Sequence, residues 1–181
     1  CLVSQRHPIT LAKEVATIDQ LSDGRFIFGV GAGWNKPEVE NHGTEFSERW
    51  RVLRERILAM KTIWTEEEPE FHGEFINFEK MWSFPKPIQK GGPPIWIGSN
   101  SKYVGERVAE YGDGWLPIGG RPGDGTVESV KAACTKRGRS YQDLDLALFL
   151  APLNERELEE QLAFGYNHVV FGLPSDSREV V

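Results

Sequence analysis

The feature that most constrains this chain is a regular alternation of short apolar runs with longer amphipathic stretches. Apolar runs fall at residues 1–5, 25–30, 94–98, 114–118, 146–151 and 168–172. Each is too short for a helix and rich in strand formers, and each except the last is followed by a helical pattern. Residues 8–21 place Leu11, Val15 and Ile18 together, with Ala12 and Ala16 beside them, and Ser22, Asp23 and Gly24 stop the helix. A helix is predicted over about 47–64, where Trp50, Leu53, Ile57, Met60 and Trp64 recur three and four apart. Further helices are predicted over 101–111, 126–137 and from Asn154, whose capping signal is completed by Glu157.

Strand–helix alternation implies parallel pairing with right-handed crossovers. Strands apolar throughout fit a sheet covered on both faces. Either an open doubly wound sheet or part of an eight-stranded barrel satisfies this pattern. A barrel takes roughly 250 residues, and this chain has 181. The chain opens at Cys1 inside an apolar run and shows no helix after its last strand, which favours an incomplete (β/α)8 TIM barrel. Between about residues 35 and 93 an inserted region interrupts the alternation. It contains the 47–64 helix, a hairpin over 71–78 with its turn at His72 and Gly73, and a proline-rich loop over 85–94. The stretch after Asn35, with Pro37, reads as irregular.

Composition excludes several classes. The formal charge is −6, hydrophobic residues make up 39% and charged residues 27%, the balance of a folded globular protein. No run of Lys or Arg points to nucleic acid. No apolar stretch is long enough to span a membrane, and no signal peptide is expected. Cys1 and Cys134 form neither a disulfide framework nor a metal spacing, so a cytoplasmic setting is expected. His7, His42, His72 and His168 share no ligand spacing, so no metal is expected.

In parallel α/β architectures ligands bind beyond the C-terminal ends of the strands. Gly98, Ser99, Asn100 and Ser101 form the best anion site there. Small residues let backbone N–H groups approach a phosphate, the hydroxyls add donors, Lys102 adds charge, and the next helix aims its positive end at the site. A plain helix cap uses the same residues. Ser99 and Lys102 also match S-x-x-K, but the companion motifs of acyl enzymes are absent. The glycine-rich run through Gly29, Gly31 and Gly33 lacks the Rossmann spacing. It serves either as a tight turn or to let a flat ring pass close to the backbone. Trp34 and Trp115 are aromatics near strand ends that suit a ring pocket or ordinary packing. His7, directly before Pro8, is either a helix-entry residue or a polar group for catalysis beside a cofactor.

The ordered motifs resemble the luciferase-like monooxygenase superfamily. They run from Gln5-Arg6-His7-Pro8 and the 11–19 helix, through Gly24-Arg25 and residues 29–35, to the hairpin 71–75. They continue through Pro85-Lys86-Pro87, residues 93–98 and Gly112-Asp113-Gly114-Trp115. The match covers the chain to about residue 175 and is nearest to the probable coenzyme F420-dependent oxidoreductases. The resemblance implies one luciferase-like barrel domain over 1–181, holding strands three to eight, without strands one and two or the last helix. It implies coenzyme F420, or alternatively FMN, bound through Gly98, Ser99, Asn100 and Ser101, with Gly31, Gly33, Trp34 and Trp115 near the ring and His7 as catalytic candidate. It implies a hydride transfer to, or oxygen activation on, a small organic substrate, and a homodimer at full length. The alternatives are a non-catalytic flavin-binding relative and a non-redox barrel enzyme binding a phosphorylated substrate.

Overall fold

The computed structural model describes residues 1–117 and 124–172, and the chain separates into two compact units, Cys1–Ile95 and Trp96–Val181. Ile118, Gly119 and Gly120, together with Leu173 and Pro174, lie outside the described residues.

In the first unit, α1 (Pro8–Leu21) starts with its proline where no intrahelical N–H is needed. Its buried arc runs through Leu11, Ala12, Val15, Ala16 and Asp19. Ile18, expected on that face, is 44% exposed because it lies just off the edge of the arc. Asp19 takes the central position because its carboxylate is satisfied there. It accepts from Gln89 Nε2 at 2.7 Å and from the Gln89 backbone N–H at 3.0 Å. The helix closes with the Gly24 N–H on the Asp19 carbonyl at 2.9 Å, Gly24 standing at φ 71°.

The first apolar run is only briefly extended. Leu2 bridges Gly31 in parallel, and the chain then turns into a 3-10 helix, η1 (Val3–Gln5). Side chains occupy the carbonyls a neighbouring strand would use: Arg56 Nη1 donates to Val3 O at 2.8 Å and Thr44 Oγ1 to Ser4 O at 2.7 Å. Strand β1 (Phe28–Val30) is shorter than predicted. A short helix, α2 (Lys36–Asn41), stands where an irregular stretch was expected. Pro37 does not obstruct it, since it falls in the first turn, where backbone donors have no helical partner.

A 3-10 turn, η2 (Phe46–Glu48), leads into α3 (Arg49–Thr65), which buries Leu53, Ile57, Met60 and Trp64 as predicted. Trp50 remains partly exposed. Trp64 Nε1 donates to Ala12 O at 3.0 Å and so ties α3 to α1. The hairpin pairs β2 (Phe71–His72) with β3 (Asn77–Phe78), Phe71 opposite Phe78 and His72 opposite Asn77. Its turn occupies residues 73–76, not the predicted His72 and Gly73, because that segment wraps a buried carboxylate. Glu55, only 8% exposed, accepts from the backbone N–H groups of Glu74, Phe75 and Ile76. A Cβ on Gly73 would stand 2.1 Å from Glu55 Oε1, so only glycine admits this approach.

In the second unit β4 (Ile95–Gly98), which begins at the unit boundary, pairs in parallel with β5 (Gly114–Leu116). β5 pairs with β6 (Asp145–Phe149), and β6 with β7 (His168–Val170), again in parallel. The connections carry α4 (Val104–Tyr111), α5 (Asp124–Lys136), a 3-10 turn η3 (Tyr141–Asp143) and α6 (Glu155–Leu162). Ile97, Val104, Val108, Trp115, Val130, Cys134 and Ala147 are fully buried and form the core. Gly114 lets Trp96 cross it: a Cβ there would meet Trp96 Cδ1 at 2.3 Å. The predicted cap of α6 is present, with the Glu157 N–H donating to Asn154 Oδ1 at 3.1 Å. β6 stops two residues short of prediction because Leu150 takes φ 57°, outside the extended region. Parallel strands alternating with helices are the build of a (β/α)8 barrel, of which the described strands form a part.

Candidate functional site

Residues 98–101 follow β4 and precede α4, at the strand end where parallel α/β proteins bind ligands. Ser99 is buried at 6% exposure. Its Oγ accepts from the Ser101 N–H at 3.2 Å, and its carbonyl accepts from Trp115 Nε1 at 2.8 Å. Trp115 itself has no exposed surface. It therefore offers no ring face to a ligand and acts as the floor that fixes the Ser99 peptide. The helix starts at Val104, later than predicted, because residues 101–103 form a turn closed by Val104 N–H on Ser101 O at 2.9 Å.

Arg107, on α4, was not singled out from the sequence. Its Nη1 donates to Ser101 Oγ at 2.8 Å, so a guanidinium and a hydroxyl stand together beside the loop. The available signal was a cation in the first turns of a helix that follows a strand and a Ser-rich loop. Asn100 and Lys102 are exposed, and the Lys102 ammonium lies 5.1 Å from the Tyr103 ring centroid. Small residues, hydroxyls, a fixed cation and the amino end of α4 together suit a phosphate.

The first unit carries the other predicted residues. Gly31 donates its N–H to Cys1 O at 2.9 Å. Gly33 stands at φ 83°, and a Cβ there would lie 2.9 Å from Val39 Cγ2. Its carbonyl accepts from Arg49 Nε at 3.1 Å, while Arg49 Nη1 donates to Phe46 O at 2.6 Å and its guanidinium covers the Phe46 ring at 3.7 Å. Desolvation lowers the Arg49 pKa from its ordinary value. Arg49 thus fixes the glycine-rich turn, a role invisible in sequence. Trp34 is 88% exposed. His7 is exposed and caps α1 with its backbone only, its carbonyl accepting from the Leu11 N–H at 3.0 Å. A hollow of about 420 Å³ is lined by Cys1, Leu2, Gln5, Arg6 and His42, so its imidazole is that of His42 and not His7. Gln5 Nε2 is buried without a hydrogen-bond partner among the described residues.

Residues 1–166 match the family model described as luciferase-like monooxygenase. The chain belongs to the luciferase-like monooxygenase family. An uncharacterized protein of Mycobacterium tuberculosis is 34% identical over 179 residues, which cover 97% of this chain and 62% of the relative. The FMNH2-dependent dimethylsulfone monooxygenase of Pseudomonas putida is 33% identical over 162 residues, covering 86% of this chain and 44% of that one. The F420-dependent glucose-6-phosphate dehydrogenase of Amycolatopsis mediterranei is 27% identical over 163 residues, covering 86% and 48%. The luciferase-like chain thus spans between about two fifths and three fifths of these relatives. Among solved structures, an F420-dependent secondary alcohol dehydrogenase superposes with a TM-score of 0.70 at 21% identity, over 80% of this chain and 45% of that one. Relatives in this luciferase-like family thus include both flavin- and F420-dependent oxidoreductases. No helix among the described residues is long and apolar enough to cross a membrane.

Proposed function

We propose that the protein is a two-electron oxidoreductase that uses coenzyme F420 and acts on a small organic substrate. The observation that carries the reading is the arrangement at residues 98–101. Ser101 Oγ and Arg107 Nη1 lie 2.8 Å apart, and the Ser99 peptide is fixed from below by Trp115. These residues fit a coenzyme phosphate, the group that F420 and FMN share. Bound in its reduced form, either coenzyme would supply a pair of electrons. The protein's own contribution is to bind and orient. Arg107 supplies positive charge, Ser101 its hydroxyl, and the buried Ser99 keeps the loop in one conformation.

FMN is the second reading. It is favoured by the higher identity to the FMNH2-dependent relative, 33% against 27% for the F420-dependent dehydrogenase. Titration of the full-length protein with each coenzyme, followed by fluorescence, separates the two. The expected result is saturable binding of one of them. Arg107→Gln should weaken that binding by roughly 10- to 150-fold, the value of one charge-assisted hydrogen bond of about 1.5–3 kcal/mol. Binding of neither coenzyme overturns the proposal. Unchanged affinity and turnover in His7→Ala would remove His7 from the site.

A further inference from the structure

The β2–β3 hairpin in the first unit gathers ligand chemistry unrelated to the strand ends. Phe71 pairs with Phe78 and His72 with Asn77. One step further along this register sets Glu70 opposite Glu79. Side chains two apart share a strand face, so Glu70 and His72 point the same way, and Glu79 joins them from across the hairpin. The structure bears this out: one ligand atom from each of Glu70, His72 and Glu79 lies within 4.8 Å of the others. His72 Nε2 stands 4.0 Å from Glu70 Oε2. All three side chains are exposed.

Carboxylates facing each other across a hairpin repel and destabilise the pair. Here, among the described residues, no Lys or Arg is ion-paired to Glu70 or Glu79. The hairpin is nonetheless held in place, since Glu55 binds its turn through three backbone N–H groups. A doubly charged cation would neutralise the opposed carboxylates and use the imidazole as well. We propose that Glu70, His72 and Glu79 form a surface site for a divalent transition metal of the zinc class, clasping the two strands of the hairpin. The imidazole selects this class: calcium and magnesium take oxygen ligands, whereas zinc accepts nitrogen with carboxylate oxygen. Three protein ligands leave a position for water. The reading of the sequence expected no metal because it weighed histidine spacings alone. Glu79 becomes a neighbour of Glu70 only through the strand register.

The test is calorimetric titration of metal-stripped, tag-free full-length protein with zinc chloride. The expected result is one saturable site that excess calcium does not displace. His72→Ala and Glu79→Gln should each weaken it by about tenfold or more, with far-UV circular dichroism unchanged before metal is added. Cobalt(II) provides an independent readout, a visible ligand-field band lost in His72→Ala. Absence of a saturable site, wild-type affinity in both variants, or survival of the cobalt band in His72→Ala would each overturn the proposal.

Discussion

Glu55→Ala should loosen the inserted hairpin more than any exposed change in it. The carboxylate is 8% exposed and holds the N–H groups of Glu74 at 2.6 Å and Ile76 at 2.9 Å, and that of Phe75 as well. Hydrogen bonds to a charged acceptor contribute about 1.5–3 kcal/mol each. Three such bonds do not add fully, because the 73–76 segment is partly exposed and its freed amides regain water. The expected loss is therefore about 2–4 kcal/mol, within the range for breaking a buried network. Glu55→Gln keeps an acceptor but turns an NH2 group toward backbone donors, and should lose roughly half as much. Hydrogen exchange provides the local assay: the amides of Glu74, Phe75 and Ile76 should exchange on the order of a hundredfold faster in Glu55→Ala. Urea unfolding, followed by tryptophan fluorescence, reports the global share. Arg51 ties the same turn from outside, pairing with Glu48 and Glu74 at the surface. Its replacement by Ala should leave exchange at 74–76 nearly unchanged, as expected for a solvent-screened pair. Equal effects of the two variants, or none from Glu55→Ala, would refute the reasoning.

Gly33→Ala forces an alanine to φ 83° and its Cβ to 2.9 Å from Val39 Cγ2, so urea titration should show a loss of about 1–3 kcal/mol. Trp115→Phe deletes the donor that meets Ser99 O at 2.8 Å and leaves a buried carbonyl unpaired, for a loss of about 1–3 kcal/mol in the same assay and weaker coenzyme binding. Cys134 is fully buried, and burial raises its thiol pKa above the ordinary value, with Arg139 opposing. A raised pKa lowers the thiolate fraction at any given pH, so a disulfide reagent should label Cys134 only as urea unfolds the chain. Fast labelling of Cys134 in native buffer, read in a Cys1→Ser background that removes the exposed thiol, would contradict this.

Local signals were legible and long-range ones were not. The α1 face, the Asn154–Glu157 cap and the parallel strands all follow from periodicity or from neighbours a few residues apart. Several errors arise where a distant group intervenes. Val3 and Ser4 leave the strand because Arg56 and Thr44 hold their carbonyls. The hairpin turn is longer than predicted because Glu55, on α3, fills it. Asp19, a charged residue, sits in the middle of the buried face because Gln89 satisfies its carboxylate. At the candidate site, the 98–101 segment was visible as small residues after a strand. Arg49 was not, since it reaches back 16 residues to Gly33, whereas Arg107, six residues from Ser101, carried a local signal in the first turns of the helix after the loop.

Lys86 marks a boundary in the inserted region. Its Nζ donates to Ile63 O at 2.6 Å and also to Glu66 O, its own carbonyl accepts from Gln20 Nε2 at 2.8 Å, and Gln89 is bound to Asp19 shortly after. The segment is thus fastened to α1 and α3 at both its ends, Lys86 and Gln89, and lengthening it would break several ties at once. Residues 79–82 before it are exposed or half-exposed, with few ties of their own. A peptide epitope or reporter loop spliced in there would add chain length where closure entropy grows only slowly with size. The same asymmetry identifies where extra length can enter such an insertion during evolution: ahead of the lysine, and not behind it.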